Sequence, residues 1–266
     1  MVCTKEELEK QKQERLGEIN ISNEGYKMKI VEYKNTKDII VEFQDEYKAK
    51  VHTQYGAFKK GNVKNVFHKS VCGVGYIGDG KYKSKINGKL TKAYKYWHKM
   101  LLRCYDPYLL NKEPTYINCY VCDEWLNFQN FSEWYEDNYY EIPNEKVQLD
   151  KDILVKGNKI YSPETCIFVP QRINSLFIKR DAGRGKYPIG VYWHKENNKF
   201  ITQCQIIDKE NYKERYLGTY NTSEEAFLAY KNFKEKYIKE VADEYKYLIP
   251  KELYDAMYKY EVEIND

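Results

Sequence analysis

The residues of this sequence that could do chemistry lie within one stretch, 146–174, which reads KVQLDKDILVKGNKIYSPETCIFVPQRIN. Its pattern predicts a strand, a Gly-Asn loop, a second strand and a short helix. Asp150 and Lys151 lie at the end of the first strand, and Asn174 lies on the helix. An acid and an amide in such a unit are the outline of a small site that holds a divalent metal against a phosphodiester.

Lys151 decides what this stretch could do. A free lysine has a pKa near ~10.4, so acting as a base at neutral pH would cost on the order of 4 kcal/mol. Burial could supply that shift, and the alternative is a cationic Lys151 that steadies phosphate charge. Asp152 could replace it as the base if the strand ends or bulges there. His98, on a predicted helix, could approach the site or could be an ordinary histidine beside Trp97.

The cysteines favour a reducing compartment, because the chain has seven of them, an odd number. Cys119 and Cys122 form a lone CxxC pair, and with Cys104 and Cys166 they could build a four-thiolate zinc site. The irregular spacing and the lack of a second CxxC favour buried or unpaired thiols instead.

Charge is distributed unevenly along the chain although the net charge is only +4. Residues 47–103 contain fourteen Lys and Arg and one acid, residues 113–145 contain eight acids and no Lys or Arg, and residues 179–199 return to six Lys and Arg against two acids. Blocks of one sign indicate a surface that faces a polyanion; the alternative is a solvated charged face. Four cations lie off the apolar face of a helix predicted from Leu90 to Tyr105: Lys92, Lys95, Lys99 and Arg103.

The composition excludes two broad classes. Mixed charges at 32% of residues and aromatic residues at 16% disfavour intrinsic disorder. No run of 18 apolar residues predicts a membrane span. The first 18 residues are charged and helical rather than an apolar signal peptide, so we expect a cytoplasmic protein.

The patterns predict an α+β protein of several modules. They are a helical lead or tail at 1–18, a small β-barrel-like module of about five strands at 19–75, a ββα module with flanking helices at 76–180, and a sheet-and-helix module with a last short helix at 181–266. The stretch DAGRGKYP, residues 181–188, is the clearest linker.

Three predicted strands and a helix carry the first family resemblance. The segments are GVYW, NKFITQCQI and RYLGTYNTSEEAFLAY, in which Thr222 and Glu225 form a capping box. Over residues 186–235 they resemble the DNA-binding domain of plant ethylene-response factors, the Apetala type. The resemblance implies a three-stranded antiparallel sheet packed on one helix, with the exposed sheet face in the major groove of DNA.

Strand alternation predicts which side chains that face presents. Phe200, Cys204 and Ile206 are expected to face the helix, and Ile201 to be exposed. The positions that the resemblance places toward the groove are Tyr192, His194, Gln203, Gln205 and Tyr216. The cations placed for phosphate contacts are Lys195, Lys199, Lys213 and Arg215. The family usually has arginines at groove positions, which this chain lacks, so Gln contacts with adenine are favoured.

The central segments YWHKMLLRCYDP, VCDEWLNFQNFSEW and LDKDILVKGNKIYSPETCIFVPQRIN resemble phage-type HNH endonucleases over about residues 94–178. In that family a ββα finger holds one divalent metal, which here implies Mg²⁺ or Mn²⁺. By position, Asp150 matches the metal-binding acid and Asn174 the helix asparagine. Lys151 stands where the family has its general-base histidine. The middle asparagine of the motif is absent, since Glu164 or Thr165 stands there.

These observations together predict a phage-encoded protein that binds double-stranded DNA in the bacterial cytoplasm. One function is a metal-dependent endonuclease or nickase directed by the C-terminal sheet. The second is a catalytically degenerate binder that regulates or occludes DNA. A third is a factor that binds a host protein through the same scaffold.

Overall fold

A computed structural model describes residues 4–178, 185–208 and 211–264 of the chain. The protein is mixed α+β, as predicted, with several small sheets. It divides into two compact units, residues 1–137 and 138–266. This division falls inside the range 76–180 predicted as one module, and the strand, loop and helix around Asp150 lie wholly in the second unit.

The elements are as follows. The helices are α1 Lys5–Arg15, α2 Tyr55–Lys59, α3 Lys92–Tyr105, α4 Pro107–Lys112, α5 Phe128–Asn138, α6 Gln171–Leu176, α7 Ser223–Tyr245 and α8 Lys251–Lys259. The strands are β1 Ile19–Ile21, β2 Lys27–Asn35, β3 Asp38–Phe43, β4 Lys50–Thr53, β5 Lys85–Ile86, β6 Lys89–Leu90, β7 Tyr120–Val121, β8 Val147–Asp150, β9 Ile160–Tyr161, β10 Ile167–Pro170, β11 Val191–His194, β12 Lys199–Asp208 and β13 Asn211–Tyr220.

The first unit begins with an antiparallel meander in the order β1-β2-β3-β4. The predicted turn between β2 and β3 is confirmed, because Asn35 pairs with Asp38 across it. Alternate residues of β3 are buried, as a sheet with one covered face requires. The β-barrel of about five strands predicted for residues 19–75 is not formed, because the sheet is open and has four strands.

The second half of this unit is built around aromatic side chains. On α3 the predicted apolar face is confirmed by the buried Trp97, Leu101 and Cys104. The Trp97 indole nitrogen donates to the carbonyl of Trp125 at 2.7 Å. Gly75 lies against this layer, and a Cβ there would stand 2.4 Å from a Leu101 methyl carbon. Close approach of the backbone therefore explains this glycine.

The second unit contains a ββα hairpin and a three-stranded sheet. Strands β8 and β10 pair antiparallel, with Asp150 opposite Ile167, and α6 follows directly. The antiparallel sheet β11-β12-β13 packs against α7, and the predicted capping box of Thr222 and Glu225 is present. Both parts bury side chains in one core: Ile167, Val169, Ile173, Leu176, Ile207, Ile238, Val241, Ala242, Tyr245, Ile249, Leu253 and Met257.

Part of the predicted linker at 181–188 lies outside the described residues, as do Lys179 and Arg180 of the basic block at 179–199. The helical lead is confirmed as α1, which Thr4 caps together with Glu7. The last predicted helix is confirmed as α8, with Pro250 at its N-cap. Across the described ranges, no helix has both the length and the apolar character needed to cross a membrane.

Candidate functional site

The ββα hairpin places Asp150 and Asn174 on the same side of the two strands. Val147 and Leu149 are buried on one face of β8, so Gln148 and Asp150 point to the other. The Asn174 side-chain amide reaches over from α6 and donates to the Gln148 side-chain oxygen at 2.7 Å. Gln148, which the sequence did not single out, therefore fixes the orientation of the helix asparagine.

Asp150 is held by the backbone that follows it. Its Oδ1 atom accepts hydrogen bonds from the amides of Asp152 at 2.9 Å and Ile153 at 2.8 Å. Burial raises the pKa of the Asp150 carboxyl to about 6, with a further contribution from the Asp152 carboxylate, and the two amides act in the opposite direction. A nearby cation would therefore stabilise the ionised form of Asp150.

Lys151 points into the loop rather than toward solvent. The residue is only 6% exposed. Its ammonium donates to the Asp152 carboxylate at 3.1 Å and to the Asn158 carbonyl at 3.0 Å. These two oxygens give the buried charge its partners, so the side chain joins the two ends of the loop between β8 and β9.

Asn158 holds this loop by hydrogen bonds, a role that the sequence did not predict. Its Nδ2 atom donates to the carbonyls of Lys151 and Ile160, both at 2.7 Å, and its Oδ1 atom accepts from the Ile160 amide at 3.1 Å. Asn158 therefore joins the two ends of the loop, at Lys151 and Ile160. Of the two residues expected at the position of the motif's middle asparagine, Thr165 donates to the Ile160 carbonyl at 2.8 Å, whereas Glu164 is exposed. The Gly-Asn pair at 157–158 was the available signal.

A hard divalent ion is the metal that this donor set could take. Asp150 and Asp152 offer carboxylate oxygens that repel each other, and Mg²⁺ is typically held by one or two carboxylates. The Asn174 amide oxygen makes no hydrogen bond within the described residues. No group of three or more His, Cys, Asp or Glu side chains suited to a metal occurs in the described ranges, and this includes Cys104, Cys119, Cys122 and Cys166.

His98, the other base considered, lies in the first unit. Its ring packs 5.6 Å from the ring of Tyr94 on the same helix. The residue is half-buried beside the aromatic layer of α3. This environment corresponds to the ordinary alternative for His98, a histidine packed near Trp97.

The outer face of the C-terminal sheet presents a polar network. Tyr192 and Tyr216 are exposed, and Gln203 lies opposite Tyr216. The Gln203 amide donates to Glu214 at 2.6 Å. Glu214 was not among the expected residues, and it pairs across the strands with Gln205. An acid within the face disfavours close phosphate contact at that point and leaves Gln205 as the more available amide.

The predicted faces of β12 are corrected at three positions. Ile201, expected to be exposed, is 8% exposed and therefore buried. Phe200 and Ile206, expected to face the helix, are half-exposed. Cys204 does face α7, as predicted. A β-bulge beside these positions does not account for the change, because the extra residue is Leu217 on β13, whereas β12 pairs continuously through Thr202 and Gln203.

The remaining candidate DNA-contact residues of the C-terminal sheet differ in their exposure. Lys195, Lys213 and Arg215 are exposed, and Lys199 bonds to the Asn221 side chain. His194 is half-buried, and its Nδ1 atom has no hydrogen-bond partner in the described part of the chain. Lys195 and Arg215 are thus exposed candidates for phosphate contact, whereas Lys199 and His194 are half-buried.

In the first unit, cations line the exposed side of α3. Lys92, Lys95 and Lys99 are exposed, and Arg103 lies half-buried over the Tyr116 ring at 5.3 Å. The Arg103 guanidinium lowers the pKa of the Lys99 ammonium, and burial lowers it further. Like charges are therefore held together on this helix.

Comparisons with protein families, with curated proteins and with solved structures each find no match to this chain. The resemblances to the Apetala-type domain and to HNH endonucleases therefore stay predictions.

Proposed function

We propose that the protein binds double-stranded DNA. The observation that carries this proposal is the basic surface of β5, β6 and α3. Five of its lysines are exposed and form no ion pair with any residue in the described ranges: Lys83, Lys85, Lys89, Lys95 and Lys99. Glu113 lies near Lys99 and Glu136 near Lys81, but the grouped cations outnumber these acids and attract a polyanion. Release of the polyanion's counterions makes such binding strongly salt-dependent.

A second contact surface is the outer face of β11-β12-β13. Its exposed tyrosines, the available Gln205 amide and the cations Lys195 and Arg215 suit a duplex groove flanked by phosphates. The resemblance to the Apetala-type domain favours this surface. Glu214 limits it, because Gln203 is already bonded to that acid.

Phosphodiester hydrolysis at the ββα hairpin is a second candidate function. The observation in its favour is the pair of repelling carboxylates, Asp150 and Asp152, on a hairpin that also carries Asn174. These residues would hold Mg²⁺ or Mn²⁺, which supplies positive charge to the attacked phosphate. Lys151 disfavours hydrolysis, because its ammonium is already hydrogen-bonded to the Asp152 carboxylate and the Asn158 carbonyl. We therefore give binding as the function, in a phage-infected bacterial cell, and cutting as the alternative.

The binding proposal is tested by measuring duplex affinity at several salt concentrations. Replacing Lys95 and Lys99 together by Gln should flatten the salt dependence by about one to two counterions, since each phosphate contact releases roughly 0.9. The matched control replaces Lys236 and Lys251, which are exposed and paired with acids on α7 and α8. Equal effects of the two double variants, or no salt-sensitive affinity for any duplex, would overturn the proposal.

Cutting is tested with supercoiled plasmid and Mg²⁺ or Mn²⁺. If the hairpin is a nuclease, the protein nicks the plasmid, and Asp150→Ala and Asn174→Ala each abolish nicking. If it is a degenerate relative, the native protein leaves the plasmid intact and Lys151→His introduces nicking. Nicking that survives Asp150→Ala would exclude this hairpin as its source.

A further inference from the structure

A cavity of about 500 Å³ in the second unit lies beside the part of β12 that β11 does not cover. The pairing of β11 with β12 ends at Val191 opposite Thr202, so Gln205 and Ile207 lie beyond β11. The walls come from the end of α6, from α7 and from the segment after α8. Ligand sites commonly have volumes of roughly 300 to 1,000 Å³ and combine apolar walls with a few polar groups.

Lys234 is the charged group that needs explanation in this cavity. It lies on α7 and makes no hydrogen bond or ion pair within the described residues. Burial lowers the pKa of its ammonium group. By contrast Lys231, one turn earlier, bonds to Glu235 at 2.6 Å and to the Val262 carbonyl at 2.8 Å. A half-buried cation that has no oxygen partner in the described residues is costly, and an anion in the cavity would offset that cost.

Three aromatic rings and one amide of the lining suit a planar ring with a polar edge, and the acid of the lining, Glu214, is hydrogen-bonded to Gln203. Phe177 and Tyr260 meet edge to face at 4.7 Å between ring centroids. The Tyr230 ring lies directly against Gly190, where a Cβ would stand 2.1 Å from it, so the glycine lets this ring pack closely on the backbone at the cavity wall. The Gln205 side-chain amide has no hydrogen-bond partner in the described ranges. Glutamine pairs with the N6 and N7 edge of adenine, and aromatic rings stack on bases.

We propose that this cavity binds an adenine mononucleotide, with its phosphate at Lys234, its base against the aromatic walls and its polar edge at Gln205. Gln205 and Tyr192 also belong to the sheet face proposed for DNA, so a bound nucleotide and a duplex would compete there; nucleotide binding itself does not depend on the DNA proposal. A nucleotide there would contact α6, β12 and α7 together.

The test is equilibrium dialysis of the full chain against AMP, adenosine and inorganic phosphate. We expect saturable AMP binding that Lys234→Met weakens by about 10- to 100-fold, the range of a charge-assisted hydrogen bond. Adenosine should bind more weakly than AMP by a similar factor and should not respond to Lys234→Met. Lys236→Met, which removes the same charge from an exposed position on α7, should change nothing.

A second measurement uses the unmodified protein, so a folding defect in the variant does not decide the outcome. The chain is acetylated with and without AMP, and the modification of each lysine is read by peptide mass spectrometry. AMP should protect Lys234 and leave Lys236 unprotected. The proposal is overturned if AMP fails to bind at millimolar concentration, if phosphate alone binds as well as AMP, or if AMP leaves Lys234 reactive.

Discussion

Two lysines of the second unit occupy opposite situations. Lys151, in the loop of the ββα hairpin, is buried and bonded to a carboxylate and a carbonyl. Lys234, in the cavity beside β12, is half-buried and has no such partner in the described residues. Burial alone therefore does not distinguish a structural cation from a binding one. The oxygen atoms around each ammonium make that distinction, and they assign structure to Lys151 and binding to Lys234.

The largest effect is expected from breaking the loop that holds Lys151. Asn158→Ala removes three hydrogen bonds, so we expect the free energy of unfolding to fall by about 3 kcal/mol. Asn158→Asp keeps the acceptor for the Ile160 amide but sets a carboxylate oxygen against both carbonyls, and should destabilise at least as much as Asn158→Ala. Urea denaturation measures all three proteins. An Asn158→Ala protein as stable as the native one would mean that the loop does not depend on this clamp.

Lys151→Met removes the buried cation and tests whether Lys151 stabilises the folded protein. The Asn158 carbonyl and the Asp152 carboxylate lose their partner, while Asp152 stays partly hydrated because it is half exposed. We therefore expect a loss of about 2 kcal/mol, less than for a fully buried pair. Urea denaturation gives the value, and a neutral or stabilising result would remove the distinction between the two lysines.

Asp150 should make the stability of the folded protein depend on pH. Its pKa rises from 3.8 to about 6 on folding, so the folded chain holds its proton more tightly than the unfolded chain. Stability contributed by this group is lost as pH rises from about 4 to 6, because the unfolded chain ionises first. Asp150→Asn keeps an oxygen for the two amides and should stabilise the protein at pH 7 by roughly 1–2 kcal/mol, after a discount for partial exposure.

The check for Asp150 is thermal unfolding between pH 4 and 8 in the presence of a chelator. The native and Asp150→Asn proteins should converge near pH 4 and separate as pH rises. Adding Mg²⁺ should reduce the difference if Asp150 and Asp152 bind it. Parallel curves at all pH values would show that the carboxyl does not titrate as described.

The smallest effect is expected at Lys234. Lys234→Met removes a cation that has no oxygen partner in the described part of the chain, so it should leave stability unchanged or raise it by about 1 kcal/mol. Urea denaturation without nucleotide measures this. A loss as large as that of Lys151→Met would place Lys234 among the structural lysines and contradict the binding assignment.

Local signals in the sequence predicted the parts of the fold that depend on neighbouring residues. The capping box at Thr222 needs only Glu225, three positions away, and the hairpin of β2 and β3 needs only alternation and a turn. The burial of Ile201 depends instead on which side chains cover the sheet around it. Alternation along one strand carries no information about that covering, so the burial of Ile201 was missed.

The sequence named Asp150, Lys151 and Asn174 as candidates but not how their side chains are oriented. Strand parity puts Asp150 on the same face of β8 as Gln148, and the Asn174 amide bonds to that glutamine. Whether Lys151 turns outward or into its loop depends on Asn158, seven residues away, whose carbonyl receives the ammonium. No periodic pattern encodes a contact across an irregular loop, and the same holds for the absence of a partner at Lys234.

The single core that joins the ββα hairpin to α7 and α8 restricts how this chain could evolve. Ile173 and Leu176 of the hairpin helix share their buried environment with Ile238 and Leu253 of the C-terminal helices. Recombination at the linker would therefore expose apolar surface on both fragments rather than exchange one autonomous part. Residues 138–266 should be inherited together, and homologues should lose or gain them as one piece.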